Sequence, residues 1–282
     1  MSSQLLAEIE YTAALFRAGE AEVARAFFSR ARPLAQHLHW LKIQVSRELR
    51  NLREISSGEL TRQVDQVDRG MMREAIVAEL REHYYETRHY AMLAYVLEGI
   101  GGGAVDWKSL DGERANAEWS IWQREEQKRR RAWEATSPLH GAAGSFNSGG
   151  AGSVAYGMVG LKGGIYEELL AETGKIILHD EMAHGDALEQ RHPLYELVRT
   201  RDDAEIALNI LREFSMIRLK GRNYQFGSPL ADERLEAIAR GEIEPATTEI
   251  LKAAYTGAID EEAWFARFHK AEKPLRAATI VR

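Results

Sequence analysis

Three of the nine histidines follow a glutamate by three residues: Glu86 with His89, Glu181 with His184, and Glu189 with His192. Positions i and i+3 share one face of a helix, so a carboxylate and an imidazole at this spacing can ligate the same metal ion. With glutamate at roughly one position in nine, about one such pair arises by chance, so the spacing alone is a weak signal. The surrounding sequence separates the three. His89 and His184 fall inside segments that read as helix, each preceded by another helix able to add a carboxylate. His192 stands directly before Pro193 at a helix end and reads as a surface or capping residue.

Helices must carry these pairs, and the composition favours them. Ala, Glu, Leu and Arg dominate, β-branched residues are sparse, and 6 prolines in 282 residues is well below the usual ~5%. Over residues 4 to 31 the apolar positions Leu5, Ile9, Ala13, Leu15, Val23, Phe27 and Phe28, interrupted near Gly19, predict two short helices. Pro33 suits the start of the next, which runs through HLHWLKIQVSRELRNLRE toward Asp68 and stops at Arg69 and Gly70. Residues 71 to 97 contain no Pro or Gly and keep an apolar stripe through Ile76, Leu80, Tyr84 and Met92, ended by Gly99 to Gly103. Residues 113 to 135 read as a polar helix with an aromatic edge at Trp119, Trp122 and Trp133. The Gly- and Ser-rich stretch 137 to 152 reads as a loop. A segment through Ile165 to Glu172, a turn at Thr173 and Gly174, and a helix from Lys175 to Arg191 then predict a hairpin. Residues 203 to 219 are amphipathic, GRNYQFGSPL reads as a loop, and the last fifty residues look helical.

The two hairpins suggest further carboxylates. Around Gly174, Glu168 lies six residues before the turn and Glu181 seven after it, each about 10 Å along its helix axis, which sets them level. Glu167 or Glu172 substitutes in a different register. Glu54 lies sixteen residues before Gly70 and Glu86 sixteen after it, a symmetry that favours Glu54 over Glu48.

These motifs resemble the ferritin-like di-iron carboxylate proteins, whose four-helix core carries one glutamate on each of two helices and Glu-x-x-His on each of the other two. E-T-R-H at 86–89 and E-M-A-H at 181–184 match, the second within DEMAHGDALEQRH, and the likeness covers roughly residues 40 to 200. The Glu168 to Glu181 separation is shorter than the superfamily's usual one, and SFNSGGAGS holds no glutamate at the more usual distance. The resemblance implies Glu54, Glu86, His89, Glu168, Glu181 and His184 as ligands of two iron ions, with manganese as the alternative metal. It also implies O₂-dependent oxidation of a small organic substrate, held near Tyr85, Tyr90, Met92 and Tyr166, and an external electron donor. A fainter resemblance, to the haem-oxygenase-like di-metal oxidases, rests on DEMAHGDALEQRHPLY and draws in Glu82, Asp180 and His192. It asks for another downstream histidine, and only His269 stands there.

The expected architecture is therefore all-α. A ferritin-like four-helix bundle occupies 33–200, with an inserted helix and Gly/Ser loop at 101–156, and helical extensions fill 1–32 and 201–282. Competing readings are exposed helix residues in ordinary ion pairs, hence a metal-free helical interaction or scaffold protein, and a metal- or peroxide-handling ferritin-like protein. His37, His39, His83 and His179 flank apolar residues and read as core-edge or surface groups, His179 close enough to stand behind the ligands.

Composition limits the remaining classes. With no cysteine, disulfides, zinc ribbons, iron–sulfur clusters and thiol nucleophiles are excluded, and a metal must sit on His, Asp or Glu. A net charge of −6 gives no general attraction to nucleic acid or anionic lipid. No apolar run approaches the ~20 residues of a membrane span, and the opening residues do not read as a signal peptide, so a cytoplasmic protein is expected. A homodimer is compatible with this reading. The run Lys128 to Arg131 beside Trp133 reads as a solvated face that can also take an anion. The glycine clusters at 101–103 and 149–152 lack nucleotide-loop spacing, and Ser145, Ser148 and Ser153 lack the Gly-x-Ser-x-Gly setting of many hydrolases.

Overall fold

The computed structural model describes residues 2–54, 73–101, 114–146, 170, 172–177, 179–180, 192–246, 262–264 and 266. Every regular element among them is an α-helix: α1 (Ser2–Phe28), α2 (Leu34–Glu54), α3 (Arg73–Gly101), α4 (Arg114–Thr136), α5 (Pro138–Ser145), α6 (Leu194–Leu197), α7 (Arg201–Gln225) and α8 (Asp232–Ala239). Among the described residues no helix is long and apolar enough to cross a membrane. The chain divides into two compact units, Met1–Gln36 with Ala117–Ile259, and His37–Asn116 with Asp260–Arg282.

In the first unit α1 lies along α7 and α8, and α5 packs against α6 and α7. The core joins Leu5, Ile9 and Ala13 of α1 to Ala204, Leu211 and Phe214 of α7, with Trp133 and Ala143 closing it. Each large apolar side chain buried here contributes roughly 1.5–3 kcal/mol relative to exposure. Contact, rather than order along the chain, groups these elements, since α7 and α8 belong with the first helix.

Two sequence expectations fail here for identifiable reasons. The first 27 helical residues form one helix, not two short ones, and Gly19 does not interrupt it. A Cβ at Gly19 would stand 2.8 Å from Ile238 Cγ2 of α8, so the glycine allows a close approach between helices rather than a break. The expected loop at 137–152 begins with α5. Ser137 caps it, its hydroxyl accepting from the His140 N–H at 3.3 Å, and Pro138 supplies the first turn. Gly144 belongs to that helix because Trp133 leaves no room for a Cβ, which would meet Trp133 Cε3 at 2.6 Å.

α7 also runs further than the periodicity predicts, through Gly221 to Gln225. It opens on a capping box in which Thr200 Oγ1 accepts from the Asp203 N–H and Asp203 accepts from the Thr200 N–H. It ends where Gly227 takes φ +73°, a left-handed conformation that suits glycine. A buried ion pair ties α7 to α1: Arg222 Nε donates to Glu20 Oε2 at 3.3 Å, and Arg222 Nη1 donates to Gln225 Oε1 at 2.7 Å.

The expected turn at Thr173 and Gly174 is absent. Residues 172–177 are helical and Thr173 is fully buried, so the chain continues through Gly174 instead of reversing. A glycine inside a helix costs about 1 kcal/mol relative to alanine, which a buried position can offset. The hairpin argument that set Glu168 level with Glu181 therefore loses its basis.

In the second unit α2 buries Trp40, Leu41, Ile43, Gln44, Val45 and Glu48, and α3 buries Arg88, His89, Met92, Leu93, Val96 and Leu97. Trp264 is also buried, its ring 5.9 Å from that of Tyr95 in an edge-to-face arrangement. The stripe expected on α3 is misplaced at its N-terminal half, because Leu80 and Tyr84 are exposed, at 44% and 58%. Four-residue steps overshoot a full turn by about 40° each, so a line drawn back from Met92 leaves the buried face by Tyr84.

Candidate metal centre

The buried stripe of α2 steps from Trp40 and Leu41 through Gln44 and Val45 to Glu48, in the i, i+3, i+4 pattern of a core-facing surface. Two of its members are polar, and a buried glutamate at the end of an apolar stripe requires a partner. On α3 the buried face runs through His89, Met92, Leu93, Val96 and Leu97, with Glu86 one turn before His89 on the same side.

These two faces supply one cluster. Glu48, Glu86 and His89 each present a donor atom, and the three atoms all lie within 4.8 Å of one another. Glu48 is buried, His89 is completely buried and Glu86 is half-buried. Burial pushes the Glu48 carboxyl up to about 8, Glu86 adds to the rise through its charge and a hydrogen bond, and His89 and Arg47 oppose it. Two carboxyl groups held this close repel when both are ionised. A divalent cation removes that repulsion and restores both negative charges.

The donor set suits such an ion. Two carboxylate oxygens and one imidazole nitrogen suit a first-row divalent ion such as manganese, iron or zinc, and neutralise a 2+ charge. Three protein ligands leave coordination positions for water, dioxygen or substrate. Nearby, the Arg88 guanidinium lies over the Tyr85 ring at 5.1 Å and the Tyr84 ring at 5.6 Å, which holds the turn carrying Glu86 and His89.

Of the residues expected from sequence, Glu86 and His89 are thus brought together. Their carboxylate partner from α2 is Glu48, where the symmetry about Gly70 had favoured Glu54. Glu54 ends α2, its side chain outside the described residues. Position 54 is about 9 Å further along the axis than position 48 and about 120° around it. The signal for Glu48 was the apolar stripe itself, which it continues at i+4 from Gln44 and i+8 from Trp40. Glu168, Glu181 and His184 lie outside the described residues, as do Glu167, Glu189, Tyr166 and His269. Asp180 is fully buried with His179 Nδ1 3.6 Å away, and Glu172 is half-buried.

Other candidates take structural parts. His192 Nδ1 accepts from the Leu194 N–H at 3.2 Å, which caps the turn at α6 as its position before Pro193 predicts. Its neutral ring therefore carries the proton on Nε2, facing Ser145 Oγ at 3.3 Å. A nitrogen that donates to a serine cannot act as its general base, so this Ser–His pair is not arranged for hydrolysis. In the basic run, Arg129 is exposed and pairs with Glu125 and Glu213, both at 3.0 Å, as on a solvated helix face.

Comparison with protein-family models, with curated proteins and with solved structures found no match to the chain.

Proposed function

We propose that the chain is a metal-dependent oxidoreductase of the ferritin-like kind, using dioxygen to oxidise a small organic substrate. The observation that carries this reading is the convergence of Glu48, Glu86 and His89 from two helices onto one buried point. The resemblance at Glu86-x-x-His89 adds the four-helix core and a second ion associated with Glu181 and His184. Iron is the expected metal and manganese the alternative, because the donors are oxygen and imidazole and the chain has no thiolate.

When bound, iron would supply one-electron chemistry and an open position for dioxygen. The chain's own residues do the rest. Glu48 and Glu86 offset the cation's charge, and His89, a neutral ligand, leaves the centre close to neutral. The buried apolar side chains of Met92 and Leu93, on the same face of α3 as His89, keep water away from the centre. An external electron donor completes the cycle.

The test is oxygen uptake by the full chain loaded anaerobically with Fe(II). The expected result is stoichiometric O₂ consumption that is lost in His89→Ala. Fe(II) that binds but does not consume O₂, or does so equally in His89→Ala, contradicts the oxidase reading. Large shells that accumulate iron would instead favour storage. A second reading, a metal-free interaction protein, is favoured by the exposed apolar residues Val77, Leu80 and Tyr84 on one side of α3. It predicts no bound metal.

A further inference from the structure

Gln44 stands one helical turn before Glu48, and both side chains are more than nine-tenths buried. A buried amide has a donor end and an acceptor end, and its neighbours decide which way it faces. Arg47 is a donor only, and its Nη1 donates to Gln44 Oε1 at 3.4 Å. This turns the amide nitrogen the other way, where Nε2 donates to Glu48 Oε1. Arg47, Gln44 and Glu48 therefore form a relay with one consistent direction, ending on the carboxylate that meets Glu86 and His89.

From this relay we infer that Gln44 is a positioning residue of the metal centre: it occupies Oε1 of Glu48 and leaves Oε2 for the ion, so that Glu48 binds through one oxygen. The inference rests on the metal reading of Glu48, Glu86 and His89. The terminal torsion of a glutamate is soft and broad, so a carboxylate without a fixed partner rotates between one-oxygen and two-oxygen binding. A hydrogen bond to one oxygen removes that freedom before the ion arrives. A neutral amide also does this without competing for the carboxylate's charge, as an arginine placed there would. Burying an amide costs stability unless it is hydrogen-bonded, and both ends of the Gln44 amide are.

The test is a titration of the full chain with Co(II) alone, followed by the metal's visible absorption, which reports coordination number as well as occupancy. Gln44→Met keeps the side-chain volume and removes the amide. It is expected to weaken Co(II) binding by ~10- to 100-fold, the range found when a ligand's supporting hydrogen bond is lost, and to change the band intensity as Glu48 turns. Arg47→Met releases the amide instead of deleting it, and is expected to change the band intensity in the same direction by a smaller factor; it also removes a cation near Glu48, which favours binding, so the band intensity is its readout. Wild-type affinity and spectrum in both variants overturn the role of Gln44 and leave the metal site standing. A wild-type chain that binds no Co(II) overturns the metal reading and this role together. Should Gln44→Met fail to fold by circular dichroism, Arg47→Met decides the matter on the band intensity, an unchanged spectrum overturning the role of Gln44.

Discussion

Glu48 on α2 and Glu86 on α3 bring carboxylate oxygens within 4.8 Å of one another. Two carboxyl groups brought this close, one of them buried, are a poor arrangement for stability alone, because burial favours neutral or apolar groups there. The pair makes sense as a site kept ready for a cation. Glu48→Gln is therefore expected to lower Fe(II) or Mn(II) affinity at least ~10-fold while leaving the metal-free protein as stable as the wild type or more so. Thermal unfolding in chelator alongside metal titration checks both halves. A metal-free variant that is several degrees less stable would show that the pair supports the fold instead.

The buried ion pair of the first unit behaves differently. Arg222 and Glu20 are 4% and 2% exposed, so deleting one partner strands the other. Glu20→Ala is expected to cost about 3–5 kcal/mol, and the double replacement Glu20→Met with Arg222→Met to recover part of it, since Glu20 also lies 3.8 Å from the largely buried Arg218. Urea unfolding of the single and double variants measures the difference, and a double variant as unstable as the single one contradicts this account.

Close packing at Gly144 gives a third expectation. A methyl group there meets the Trp133 ring at 2.6 Å, in a core where backbone and indole have little room to separate. Gly144→Ala should destabilise the protein by roughly 1–3 kcal/mol through overpacking, despite the better helix propensity of alanine. A gain in stability would mean that α4 and α5 can move apart freely.

His192 ties stability to pH. Its folded-state value is lowered from 6.5 by burial, and its Nδ1 is engaged as an acceptor by the Leu194 N–H. On acidification the unfolded chain takes up the proton first, so unfolding becomes easier as pH falls. The contribution of neutral His192 is thus fully present above 6.5 and lost as pH drops below it toward the depressed folded value. His192→Asn should flatten the acid side of the stability profile below 6.5, measured by urea unfolding. An unchanged slope contradicts the assignment.

Much of the fold was legible because long helices advertise their period and ends. Helices expected at 71–97 and 113–135 are found as Arg73–Gly101 and Arg114–Thr136. Glycine was the main source of error. Gly19 and Gly174 read as breaks but lie within helical residues, because what they respond to, a neighbouring side chain at Gly19 and burial at Gly174, is tertiary. α5 hid in a Gly/Ser-rich stretch although Ser137-Pro138 is a local start signal. In the candidate site, the i, i+3 spacing singled out Glu86 and His89, which lie together with Glu48 in the structure. Glu54 came from counting residues from an assumed turn, and its side chain lies outside the described residues; Glu48 was marked by the buried face of α2 through Trp40, Leu41 and Val45.

The central claim is that Glu48, Glu86 and His89 form a divalent-metal site. The most direct measurement is calorimetric titration of the full chain with Mn(II), comparing the wild type with Glu48→Gln, His89→Ala and Glu54→Gln. The account predicts tight binding in the wild type and in Glu54→Gln at the site described, weakened at least ~10-fold in the other two. A wild type that binds no Mn(II), or binds it equally well without His89 and Glu48, contradicts it.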